Sequence, residues 1–111
     1  MARSSKSAET KKQNEYDFDM LNQWMVNGII QKVLSTSDKL NTYKVDVPTK
    51  TPKGNISHAY ILVKEFSSEA PFEPGTKVTI TGNISTGSYQ AKDGTTKYSQ
   101  DLIAESIKEL N

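Results

Sequence analysis

There is no cysteine in the 111 residues. Disulfides, thiolate-ligated zinc and thiol nucleophiles are therefore excluded. Histidine occurs once, at His58, which cannot by itself build a multi-histidine metal site. Arginine is confined to Arg3. No apolar run approaches the ~18 residues that a membrane-spanning helix needs, so no membrane partner is expected. The stretch from Ser4 to Gln13 holds no apolar segment of the kind a secretory signal carries. A cytoplasmic setting is the expectation. Charge of one sign is also lacking. The 14 Lys and Arg residues offset 13 Asp and Glu residues to leave +1, so bulk charge favours no polyanion. Phosphate-loop and nucleophile-elbow motifs are absent. Asp17, Asp19, Asp93 and Asp101 make no defensible acid–base or Mg²⁺ constellation. No enzyme, no metal and no cofactor is expected. The length suits one domain whose work is binding.

What is present is β-patterned. Residues 1–20 read as a polar, disordered N-terminal arm, and residues 21–111 as the folded domain. The arm carries Arg3, Lys6, Lys11 and Lys12 against Glu9 and Glu15. It reads as a solvated leader, with contact to nucleic acid or a second subunit as the alternative. The first strand is expected over Trp24–Ser35, where the apolar residues are too dense for simple alternation and Gly28 suggests a bulge or sharp bend. The second, Leu40–Val47, alternates cleanly, with Tyr43, Val45 and Val47 on one face and Thr42, Lys44 and Asp46 on the other. Pro48 and Pro52 then mark a loop. The third strand, Ile56–Lys64, puts Ala59, Ile61 and Val63 on one face. His58, Tyr60, Leu62 and Lys64 share the other, an unusual mixture for a solvent face.

Glu65–Pro74 is acidic and interrupted by Pro71 and Pro74, so a long helix is excluded there. The fourth strand is expected over Thr76–Thr86, with Val78 and Ile80 inward and a parity change at Gly82. The last is expected over Lys97–Leu110 and reads better as a bulged strand than as a helix. Five strands with Gly and Pro punctuation make an all-β chain, either a five-stranded Greek-key barrel or a small sandwich.

The segment GNISTGSYQAKDGTTKYSQDLI, from Gly82 to Ile103, is the most informative. Asp93-Gly94 signals a two-residue type I′ hairpin. A turn centred there places Tyr89 directly across from Tyr98 and Gln90 across from Lys97, with Lys92 at the tip. Exposed rings and ammonium groups on a projecting ribbon suit unpaired nucleotides, whose bases offer flat π-faces and whose phosphates want cations. The bland alternative is that the two tyrosines only brace the ribbon.

The run from Phe72 to Leu110 resembles the C-terminal half of bacterial and phage single-stranded DNA-binding proteins. The matching elements are Pro74-Gly75, Gly82, Ser88-Tyr89, Lys92-Asp93-Gly94, Lys97-Tyr98 and Ala104-Glu105. The N-terminal half is similar in layout, with Asn27-Gly28-Ile29-Ile30 like the family's opening strand. The resemblance implies an OB-fold Greek-key barrel with a projecting hairpin between strands 4 and 5. It also implies a base-stacking role for Tyr89 and a nucleic-acid face on the third strand. Two departures stand out. The helix usual between strands 3 and 4 has only Glu65–Pro74 in its place, and the long acidic tail used to recruit replication proteins is missing after Asn111. A compact, tailless, phage-like member is the expectation.

Charge placement agrees with that reading. Lys39, Lys44, Lys50, Lys53 and Lys64 fall in one stretch opposed only by Asp46, and Glu65, Glu69 and Glu73 follow with no cation among them. Strands 2 and 3 and their loop line the groove of an OB barrel. The candidate single-stranded DNA contacts are Tyr89, Tyr98, Tyr60, His58, Phe66, Lys32, Lys44, Lys50, Lys53, Lys64, Lys92 and Lys97. His58 and Phe66 keep a structural alternative, Trp24 reads as a core or interface anchor with a base platform as the alternative, and Tyr43 reads as core. With no arginine in this set, little base-edge reading is expected. The function expected is non-catalytic, largely sequence-independent coating of single-stranded DNA in replication or recombination. A homo-oligomer, dimer or tetramer, is expected, with replication or recombination proteins as further partners. The competing reading is an OB-fold protein-interaction module in a replisome or virion assembly.

Overall fold

A computed structural model describes residues 16–110. The first fifteen residues of the expected arm lie outside the described residues. Five strands follow: β1 (Trp24–Thr36), β2 (Asn41–Lys50), β3 (Ile56–Glu65), β4 (Lys77–Gln90) and β5 (Thr96–Glu109). They close into a barrel in the order β1-β2-β3-β5-β4. All pairings are antiparallel except β3 with β5. This is the five-stranded Greek-key closure of an OB fold. No helix long and apolar enough to cross a membrane occurs among the described residues.

The core is small. Ile30, Tyr43, Val45, Val63, Val78 and Ile80 are fully buried, and Trp24, Val26, Phe72 and Ile107 pack against them. Alternation on β2 and β4 places these residues inward as the sequence implies. β1 is denser because it changes partner. It pairs with β4 from Trp24 to Ile29 and with β2 from Ile29 to Thr36. Its register slips between Ile30 and Lys32 and again between Val33 and Ser35. The bulge expected at Gly28 is therefore displaced to Gln31 and Leu34. Gly28 serves a close approach instead, since a β-carbon there would lie 2.7 Å from the Asp46 carbonyl oxygen.

Two further expectations are corrected. β2 does not stop at Val47 but runs through Pro48 to Lys50. Proline is tolerated because β1 stops pairing with β2 at Asp46, so Pro48 sits on a free edge. The turn at Asp93-Gly94 is also not type I′, which needs positive φ at both central residues. Only Gly94 has it, at 88°. The amide of Gly94 donates to the Ala91 carbonyl at 3.0 Å and that of Ala91 to the Thr95 carbonyl at 2.9 Å. Three residues close the hairpin, Lys92, Asp93 and Gly94. The Thr95 hydroxyl (2.7 Å) and amide (3.0 Å) both donate to Asp93 Oδ1, and these bonds hold its carboxyl below the usual aspartate range. The Thr51–Asn55 turn repeats the closure, with Gly54 at φ 89° and Lys53 at its tip.

The acidic connection between β3 and β4 covers one end of the barrel without a helix. Tyr43 anchors it. Its hydroxyl donates to Glu65 Oε1 and accepts from the Phe72 amide, both at 3.0 Å. The buried Asn41 amide donates to Glu65 Oε1 and to the Glu69 carbonyl. Burial pushes the Tyr43 phenol up to about 12; the Phe72 amide opposes the shift and the Glu65 carboxylate adds to it. The folded state thus favours the neutral phenol. Its contribution is complete below the ordinary tyrosine value of about 10 and is lost as pH rises toward about 12. Tyr43→Phe is expected to cost about 1–3 kcal/mol at neutral pH, because the Phe72 amide loses its acceptor. The gap between wild-type and variant urea midpoints should narrow from about pH 10 to about pH 12.

Candidate nucleic-acid interface

The site begins with the pairing of β2 and β3. Thr42 lies opposite Lys64, Lys44 opposite Leu62, Asp46 opposite Tyr60, Pro48 opposite His58, and Lys50 opposite Ile56. Because directly opposed residues share a face, these ten side chains cover one outer surface. β1 extends it, since Lys32 pairs with Lys44. Beyond Asp46 and Tyr60 the two strands pair only with each other, so the His58 end of the surface projects from the barrel.

The rings and charges on this face are organised. The His58 and Tyr60 rings are nearly parallel, 12° apart with centroids 6.2 Å apart. Lys44 Nζ stands 5.1 Å from the Tyr60 ring centroid, within cation–π range. His58 Nδ1 is 2.8 Å from Asp46 Oδ1. Tyr60 and Leu62 remain more than half exposed. A base laid on such rings gains stacking, and the lysines can meet its phosphates.

The β4–β5 ribbon supplies the second part. From Ser85–Asp101 out to Gln90–Thr96 its strands pair only with each other, so it projects as expected. Its register differs by one residue from that expectation. Tyr89 lies opposite Lys97, and Tyr98 opposite Ser88. The cause is the three-residue closure, and a one-residue change reverses the faces. Tyr89 and Tyr98 therefore do not form a direct cross-strand pair; they lie on opposite faces. Tyr89, Lys97, Ser99 and Asp101 share one face by alternation. Asp101 meets Lys64 Nζ at 3.4 Å, which joins that face to the outer surface of β3. Tyr98 shares the reverse face with Leu102 and Ile84.

Of the residues singled out in the sequence, His58, Tyr60, Lys32, Lys44, Lys50 and Lys64 fall on the β1–β2–β3 surface. Tyr89 and Lys97 continue it on the ribbon, and Lys53 and Lys92 occupy the two hairpin tips. Tyr98 is separated from them. Phe66 lies past the end of β3 and is exposed, but it borders a cavity of about 230 Å³ that Glu65, Glu69 and Glu105 also line. Those carboxylates oppose a phosphate track. Sequence reasoning left out Asp46, which anchors His58, and Leu62, which adds apolar surface between Tyr60 and Lys64. The TPKGN turn was the available signal for Asp46. Counting pairs back from Thr51–Asn55 sets Asp46 against Tyr60.

A closed OB barrel with aromatic rings and lysines on its β2–β3 surface is an architecture suited to oligonucleotides. Comparison with known proteins points to one group. Over 33 residues the chain is 50% identical to a single-stranded DNA-binding protein of Clostridium perfringens, a match covering 30% of this chain and 22% of that protein. No family model matches. Among solved structures, the Plasmodium falciparum SSB in complex with ssDNA aligns with a TM-score of 0.62 at 14% identity, over 85% of this chain and 98% of that one. A mitochondrial single-stranded DNA-binding protein of S. cerevisiae gives 0.53 at 15% identity, over 79% of this chain and 93% of that one. The small single-stranded DNA-binding protein of Streptomyces coelicolor gives 0.53 at 13% identity, over 78% and 92%. The fold of these proteins is the fold of this chain.

Proposed function

We propose that this chain binds single-stranded DNA without catalysis and with little sequence preference. The observation that carries the reading is one continuous surface bearing the His58 and Tyr60 rings, Lys32, Lys44 and Lys50, and the Tyr89 face of the ribbon. The names of the similar proteins support it. Stacking is indifferent to base identity, and lysine meets phosphate as a point charge, so neither contact reads sequence. A protein that binds only the open strand shifts the duplex equilibrium by mass action. On this reading the 21–111 domain coats and protects exposed strands during replication or recombination in the cytoplasm. It acts as a homo-oligomer, dimer or tetramer, alongside other replication or recombination proteins.

Fluorescence anisotropy with labelled oligo-dT, duplex DNA and RNA of equal length tests the reading. Tight binding of oligo-dT over duplex is expected. With roughly five lysine–phosphate contacts, log K should fall against log salt with a slope near about −3.5. Affinity that barely changes between low and moderate salt would remove the phosphate track. No oligo-dT binding at low salt would overturn the proposal and favour a protein-interaction module on the same barrel.

A further inference from the structure

The β2–β3 surface contains one feature that its proposed ligand does not explain. Asp46 places a carboxylate among lysines on a face meant for a polyanion. A fixed negative charge there repels phosphate, so its presence calls for a compensating role. We propose that Asp46 is a positioning residue that holds the His58 imidazole parallel to Tyr60, so that the two rings act as one stacking platform. This inference rests on the reading of the surface as a single-strand interface.

Four observations carry it. Asp46 Oδ1 lies 2.8 Å from His58 Nδ1, and the Asp46 side chain is only 17% exposed while that of His58 is 46% exposed. The acid is the anchored partner and the ring the presented one. An ionised carboxylate only accepts, so this bond puts a proton on Nδ1. Second, His58 lies opposite Pro48, and Asp46 opposite Tyr60. The Asp46–His58 bond therefore runs diagonally along the face and ties the ring toward its neighbour. Third, the His58 and Tyr60 rings lie within 12° of parallel, the arrangement such a tie would hold. Fourth, Lys44 holds the Tyr60 ring by its cation–π contact. Contact by contact the chain runs carboxylate to imidazole, imidazole to phenol and phenol to ammonium, and both rings are held from β2. Residues two apart on a strand are roughly 6.6 Å apart, which lets adjacent bases take one ring each. Pre-fixing the rings reduces the side-chain ordering cost of binding.

The charge makes the proposal falsifiable by sign. Asp46→Ala removes a negative charge and by electrostatics alone would tighten binding. The positioning role predicts the opposite, a loss of about fivefold in oligo-dT affinity at moderate salt. Asp46→Asn keeps a carbonyl oxygen for the Nδ1 proton and should return affinity to within about twofold of wild type. In a His58→Ala background there is no ring left to hold, so Asp46→Ala should tighten binding rather than weaken it. Long-range ¹H–¹⁵N spectra of the imidazole supply a second readout. The Nδ1–H tautomer is expected in the wild type and in Asp46→Asn, and its loss in Asp46→Ala. Wild-type binding with Asp46→Ala as tight or tighter overturns the positioning role alone. An equal loss from Asp46→Ala with and without His58 overturns it too. A wild type that binds no oligo-dT overturns the single-strand reading and the inference together.

Discussion

Gly82→Ala is expected to destabilise the barrel by about 3 kcal/mol. The added β-carbon would run into the carbonyl oxygen of Ile103 and would lie 2.8 Å from Trp24 Cζ2. Neither neighbour can yield cheaply. Gly82 pairs with Trp24 on β1 and with Ala104 on β5, so it is held between strands on both sides. The Trp24 indole N–H donates to the Asn83 carbonyl at 2.7 Å, which ties the ring to the next residue of β4. The Ile103 carbonyl belongs to the segment where the β4–β5 register shifts and Glu105 becomes the extra residue. Moving it disturbs the bulge that lets Ala104 and Ile107 both face the core despite their odd spacing. For a domain of this size the midpoint of thermal unfolding should fall by roughly 10–20 °C. Trp24, the one tryptophan, reports the transition by its fluorescence. Gly87→Ala is the control. Its β-carbon would meet only side-chain ends, Asp101 Oδ2 at 2.9 Å and Ser99 Oγ at 3.1 Å, and those can rotate away. A similar loss in both variants would mean that the Ile103 contact is not what fixes glycine at position 82.

That contrast shows where the residues announce the structure and where they do not. Alternation placed Tyr43, Val45, Val63, Val78 and Ile80 inward, because burial on a pleated strand follows a period of two. The mixed face of β3 could be recognised for the same reason. Bulges break the period. The slips at Gln31 and Leu34 are set by how β1 leaves β4 for β2, a tertiary requirement with no local signature. The hairpin register failed by one residue because Asp-Gly serves both a two-residue and a three-residue closure. That single residue decides whether Tyr98 stands beside Tyr89 or behind it. Asn41 gave no signal either. It is buried because the acidic connection folds over the barrel end, and its bonds to Glu65 and Glu69 exist only once it has done so. The His58–Asp46 pair depends likewise on β2 continuing past Val47 to pair Pro48 with His58, which the free edge at Pro48 permits and the local sequence does not signal.

Tyr60→Ala should cause the largest loss of single-strand affinity of any single ring, about 10-fold to 100-fold, equivalent to roughly 1–3 kcal/mol. Tyr60 sits at the centre of the surface and is 53% exposed, so its removal takes away a platform without opening the core. The loss extends beyond one ring. Lys44 loses the π-face it rests on, and His58 loses the ring stacked beside it. Tyr60→Phe keeps the flat face and should bind within a few-fold of the wild type, since no bond from the hydroxyl is invoked. The ribbon tyrosines test how far the surface extends. Tyr89→Ala should cost at least about 1 kcal/mol, because Tyr89 lies on the face joined to β3 through Asp101 and Lys64. Tyr98→Ala should cost much less, because Tyr98 points to the reverse face with Leu102 and Ile84. Thermal unfolding of each variant separates binding from folding. Equal losses from Tyr89→Ala and Tyr98→Ala would mean that the strand contacts both faces of the ribbon. An unchanged affinity in Tyr60→Ala would move the binding surface off β3, since the His58 ring and the Lys44 ammonium both pack on Tyr60.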